Sequence, residues 1–130
     1  MQKIILIFTL LFSTVMFSSP LSAEWVLRGN GTEGNWYVDY ESISKNGEYV
    51  TYWSMVDWHR PKQGRSSVVT YHQGDCGLYR YKTLSFIFHN QSMGRGTGDT
   101  RDSPFMDWVY PPPTDLRRTI LLGACMKIFP

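Results

Sequence analysis

Cys76 and Cys125 are the two cysteines of the chain, and they constrain its fold more than any other feature if it matures where thiols are oxidised. The first residues point to such a place. Lys3 gives a positive start, and Ile4 to Val15 is an apolar run broken only by small hydroxyl residues. Pro20 then precedes Leu21-Ser22-Ala23, a small-residue cleavage signal. This is the layout of a secretory signal peptide over residues 1–23, too short for a transmembrane helix, which needs about 20 apolar residues. No cysteine sits just after the apolar run, so no lipid is expected at the new N-terminus. The mature chain is expected to be Glu24 to Pro130, a single domain that is periplasmic or secreted, without a membrane span. In an oxidising compartment two cysteines allow one intramolecular pairing. Closing a loop of about 50 residues contributes roughly 4 kcal/mol in the chain-entropy model. A redox pair would be spaced Cys-x-x-Cys, so this one is read as a structural staple.

The rest of the pattern is that of strands. Trp25-Val26-Leu27 is a short apolar segment that ends in a glycine-rich turn, Arg28 to Thr32. Trp36 to Tyr40 is rich in aromatic and β-branched residues. Asn46-Gly47 is the strongest hairpin signal, since both residues accept the positive φ of a type I′ turn. Tyr49 to Trp58 follows, with apolar residues on both faces and so expected to be covered on both sides. Pro61 to Gly64 makes a turn, and Ser66 to His72 is the next strand. Leu78 to His89 alternates Leu78, Leu84, Phe86 and Phe88 against Tyr79, Tyr81 and Ile87. Gln91 to Pro104 has glycines among charges and no sustained apolar pattern, which predicts a mobile loop or wide turn.

Pro111-Pro112-Pro113 is a stiff spacer before a helix expected from about Asp115 to Met126, with Thr114 as N-cap. Leu116, Ile120, Leu121, Ala124 and Cys125 make its apolar stripe, and Gly123 permits close approach to the sheet. The fold class is therefore α+β, mainly β. An antiparallel sheet meander carries a C-terminal helix on one face, tied by the disulfide.

Chemistry is sparse. Without Lys3 the chain has 12 basic residues against 11 acidic ones, not the balance of a nucleic-acid binder. His59, His72 and His89 have no short ligand spacing, so neither a metal site nor another cofactor is expected. Asp57 and His59 could form a dyad on one strand face, yet no nucleophile motif goes with them. Gly94-Arg95-Gly96-Thr97-Gly98 lacks the helix that a phosphate cradle precedes. No enzyme is expected. The five Trp and eight Tyr all follow Ala23, more than a small core needs, and such side chains favour interfaces.

The order of these landmarks resembles the surface-adhesin protein E family of bacterial exported proteins. The resemblance rests on Trp36-Tyr37-Val38-Asp39 with Ser42 to Gly47, Val50 to Trp53 with Asp57, and Asp75-Cys76 with Arg80. Met93 to Gly96, Trp108, Pro111 to Thr114 and Cys125 continue it. It implies a sheet with a disulfide-held C-terminal helix, contact with host extracellular proteins, and association as dimers. The described adhesin is a surface lipoprotein, and this chain shows no lipidation cysteine, which makes surface display uncertain.

The expected function is a noncatalytic exported binding domain for a protein or extracellular-matrix component. The alternative is a periplasmic domain that holds a small ligand or glycan against Trp and Tyr side chains. Arg80 and Lys82 on one strand face, Arg95 and Arg101 in the glycine-rich loop, and Trp53 are the candidate binding residues.

Overall fold

The computed structural model describes residues 23–103 and 107–130. The expected leader lies outside them, apart from Ala23. Six strands, β1 (Trp25–Asn30), β2 (Gly34–Asn46), β3 (Tyr49–Lys62), β4 (Arg65–Asp75), β5 (Arg80–His89) and β6 (Gly98–Asp102), precede helix α1 (Leu116–Ile128). They lie side by side in chain order, every neighbour antiparallel, so the sheet is the expected meander. Among the described residues no helix is long and apolar enough to cross a membrane.

The turns explain the register. β2 and β3 join through Gly47-Glu48, with Asn46 already paired to Tyr49. Gly47 has φ 63° and Glu48 has no positive φ, the pattern of a type II′ turn, not the expected type I′ turn on Asn46-Gly47. The type I′ pattern appears one hairpin later, where Gln63 (φ 53°) and Gly64 (φ 75°) link β3 to β4. The strands also run further than expected: Arg28 to Asn30 belong to β1, and Pro61 to β3.

α1 lies on one face of the sheet. Val38, Ile43, Val50, Tyr52 and Tyr81 pack there against Ile120, Leu121, Ala124 and Cys125. A bulge in β2 between Asp39 and Ser44 lets both Tyr40 and Ile43 reach this core. The Asp39 carboxylate holds that bulge by accepting from the Glu41 amide at 3.1 Å. Gly74 lies directly beneath the helix, where an added Cβ would come 2.6 Å from Leu121 Cδ1. Gly123 faces Tyr40, whose hydroxyl would be 3.2 Å from an added Cβ, so the expected close approach is to β2.

Cys76 and Cys125 are bonded, with Cα atoms 5.7 Å apart, just past the end of β4. The helix is capped by Asp115, not Thr114: the Asp115 side chain accepts from the Arg117 amide at 2.9 Å. The turn closed by Asp115 N–H on Pro112 O places Thr114 inside that turn, which starts the helix one residue later. Its end, Ile128, lies two residues past the expected one.

Residues 91–103 of the expected loop are the main departure from expectation, and Pro104 lies outside the described residues. Ser92–Gly94 form a single 3-10 turn, and Gly98–Asp102 are the sixth strand. The turn is pinned to the helix-free face. Asp57 accepts from Ser92 Oγ at 2.8 Å and from the Met93 amide at 3.0 Å. Ser67 Oγ donates to Gln91 O at 2.7 Å and accepts from the Gly94 amide at 2.9 Å. Buried Met55 and Val69 lie under Gly94, forming a second, smaller core.

Two outcomes follow. Replacing both Cys76 and Cys125 with Ser should lower the melting temperature by about 10 °C or more, since the bridge joins residues 49 positions apart. Gly74→Ala should cost about 1–3 kcal/mol in denaturant unfolding, because the methyl group meets Leu121. Melting equal to wild type in the cysteine variant would contradict the staple.

Candidate functional site

Two surfaces gather functional chemistry, one on each face of the sheet. The first grows from the β4–β5 turn. Asp75 Oδ1 accepts from the amides of Gly77 (3.0 Å) and Leu78 (3.2 Å), and Oδ2 accepts from Arg80 Nε at 2.9 Å. These bonds stop β5 from starting at Leu78, and Tyr79 turns the chain with φ 52°. Burial opposes the Asp75 charge, but Arg80 and the two amides outweigh it and hold the carboxyl below its ordinary range. The same ion pair raises the Arg80 pKa.

Fixed in this way, the Arg80 guanidinium sits 4.2 Å from the centre of the Trp108 ring and donates to Tyr110 Oη at 3.2 Å. Lys82 Nζ lies 4.8 Å from the same ring, which also meets Tyr49 at 5.5 Å between centroids. Trp108 is delivered by a bridge in which Val109 exchanges backbone hydrogen bonds with Tyr81. Trp53 packs on Tyr71 at 4.5 Å, and the register puts both on the face of Lys82. Arg80, Lys82 and Trp53 thus share the helix-free face.

The other two candidates lie apart. Arg95 closes the 3-10 turn by donating to Ser92 O at 3.2 Å. Arg101 is in β6, opposite Phe86, and is paired with Asp99 at 3.1 Å. The Asp57–His59 dyad does not form, because Asp57 holds the 3-10 turn and His59 Nε2 contacts Gly31 O at 3.1 Å. Sequence reasoning gave Trp108 only as a landmark. Its partners come from strands far away in the chain.

The second surface is a cleft of about 290 Å³ on the helix face, beside α1. Trp36, Val56, Trp58, Val68, Phe86 and Ile120 line it, with Glu33 and Arg117 at its rim. At its floor the His72 ring spans two hydroxyls, Ser54 Oγ at 2.7 Å from Nε2 and Thr83 Oγ1 at 3.3 Å from Nδ1. Tyr52 stacks on the ring at 5.0 Å, and Tyr81 meets it edge-on at 5.3 Å. One part of the ring faces the cleft, but burial pushes the pKa down to about 3, so the imidazole is neutral near neutral pH.

Ser54 beside His72 has the outline of a nucleophile and its base. Nδ1 meets a threonine hydroxyl, however, where a working base is usually oriented by a carboxylate, and a pKa this low makes a poor proton acceptor. The floor is built to hydrogen-bond. Among the described residues no three His, Cys, Asp or Glu side chains come together as a metal site.

Burial of neutral His72 has a pH signature. The unfolded chain binds its proton below about pH 6.5 while the folded chain does not, so stability falls as pH drops through that range, by at most about 1.4 kcal/mol per pH unit. Between about pH 7 and 5 the melting temperature should fall less in a His72→Gln variant than in wild type. Equal slopes would contradict the neutral buried ring.

A family model described as surface-adhesin protein E matches residues 25–126. The fold is similar to solved structures of Haemophilus influenzae protein E. One has a TM-score of 0.60 at 17% identity, covering 84% of this chain and 89% of that one. Its second crystal form gives 0.61 at 16% identity, covering 85% and 95%. Protein E from non-typeable Haemophilus influenzae gives 0.60 at 18% identity, covering 87% and 86%. At such identities the likeness to these structures is one of fold. No curated protein sequence matches the chain. The family match spans all six strands and most of α1: the chain belongs to the surface-adhesin protein E family, and so with adhesin-like, exported proteins.

Proposed function

We propose that this chain is a noncatalytic exported binding domain whose helix-free sheet face contacts a protein of the extracellular matrix. One observation carries the reading: two cations, Arg80 and Lys82, are held over a single Trp108 ring, with Tyr110 60% exposed beside them. Asp75 fixes Arg80 in place before any partner arrives, which lowers the ordering cost of binding. Aromatic and Arg side chains are the commonest hot-spot residues, and Lys82 beside the Asp75-paired Arg80 favours an acidic partner surface.

The family supports adhesion, and the leader-like residues 1–23 support export to the periplasm or beyond. Self-association fits as well. The sheet has two outer edges, β1 with Val26 42% and Leu27 49% exposed, and β6 with every residue exposed.

Surface plasmon resonance against a panel of immobilised matrix proteins tests this reading. Saturable micromolar binding is expected, weakened about tenfold or more by Trp108→Ala and also by Lys82→Ala, Tyr110→Ala and added salt. Lys127→Ala, on the helix, should bind as wild type does. No saturable binding at micromolar protein, or binding untouched by these variants, would overturn the proposal.

A further inference from the structure

The cleft on the helix face has its own chemistry. A neutral imidazole donates from one nitrogen and accepts at the other. Whichever tautomer His72 adopts, one flanking hydroxyl receives the ring N–H and keeps its own proton free to donate. The other hydroxyl gives its proton to the ring and keeps lone pairs free to accept. The chain Ser54–His72–Thr83 can therefore offer one donor and one acceptor at the floor. Thr70, also buried, adds a hydroxyl among the lining groups.

The charges near the cleft are already paired. At the rim, Glu33 holds Lys62 at 2.8 Å, and Arg117 is clamped to Asp115 at 2.6 Å and lies 3.4 Å from Tyr81 Oη. Arg117 is raised in pKa chiefly by the Asp115 hydrogen bond, and Asp115 is lowered by the same bond, so both stay charged and engaged. A charged ligand would have to displace one of these pairs or sit unpaired in an aromatic cleft, which is costly.

We propose that the cleft binds a neutral, largely apolar small molecule with a single hydroxyl or carbonyl group, that group seated on the Ser54–His72–Thr83 chain. The walls suit a planar ring system: Trp36, Trp58 and Phe86 offer aromatic surface, and Val56, Val68 and Ile120 fill between them. A volume of about 290 Å³, apolar walls and a few convergent polar groups are the usual composition of a small-molecule site. The matrix contact proposed above uses the opposite face, so either site can fail without the other.

Amide and indole NMR titration of the purified protein tests the proposal with three probes that share one ring system: 2-naphthol, naphthalene and 2-naphthalenesulfonate. 2-Naphthol should give saturable shifts at Ser54, Thr70, His72 and the Trp36 and Trp58 indoles. It should bind about fivefold tighter than naphthalene, the worth of one net hydrogen bond. The sulfonate should bind at least about tenfold more weakly than 2-naphthol. Ser54→Ala should erase the preference for 2-naphthol while naphthalene still binds, which separates a lost hydrogen bond from a lost fold. Thr83→Val should do the same from the other end of the chain. No saturable shifts, shifts centred on Trp108 instead, or sulfonate binding equal to 2-naphthol would each overturn the proposal. Ester hydrolysis abolished by Ser54→Ala would also overturn it, by making the cleft a catalytic site.

Discussion

The disulfide from Cys76 to Cys125 joins the last turn of the helix to the end of β4, and the arrangement of the molecule follows from that attachment. The sheet is a plain meander whose neighbouring strands pair locally, but a single sheet leaves two faces to cover. α1 covers one of them from the Cys76 end, with Gly74 letting Leu121 sit against the strands. One short helix cannot cover a face of six strands. Its position decides what stays open, namely the Trp36, Trp58 and Phe86 end that becomes the cleft.

The second face is managed differently. At one end the 3-10 turn closes over Met55 and Val69, anchored by Asp57 and Ser67. At the other end Trp108 and Tyr110 lie over Arg80 and Lys82. Between them Trp53 and Tyr71 stay only partly covered. The two faces therefore differ in chemistry. The helix face carries a hydrogen-bonding cleft whose rim charges are paired, and the helix-free face carries Arg80 and Lys82 together on the Trp108 ring. Recognition of a protein and of a small apolar molecule can coexist in such a small domain, because the strands lie between the two sites.

Most of the architecture was legible in the sequence, because its signals are local. Turn residues, alternation and two cysteines gave the meander, the stapled helix and its apolar stripe. What escaped depends on contacts between residues distant in the chain. Residues 91–103 read as a loop because their order comes from Asp57, Ser67 and pairing with β5, not from their own pattern. The alternation in β5 predicts Tyr81 and Phe86 on opposite faces. A bulge that skips Leu84, between the pairs Tyr71–Ser85 and His72–Thr83, puts both on the helix face. That one extra residue builds the far wall of the cleft, and nothing local announces it. Among the binding candidates, strand alternation rightly placed Arg80 with Lys82, whereas Arg95 and Arg101 were grouped only by closeness in sequence.

The central claim is that α1 is a clamp attached at Cys76 to a sheet whose hairpins hold by their own pairing. Hydrogen exchange read by mass spectrometry, with the protein oxidised and then reduced, tests it most directly. Reduction should speed exchange in Leu116–Ile128 and in the turn from Asp75 to Arg80, while β3 and β4 keep most of their protection. Unchanged exchange in the helix, or equal loss of protection along the whole chain, would contradict the account.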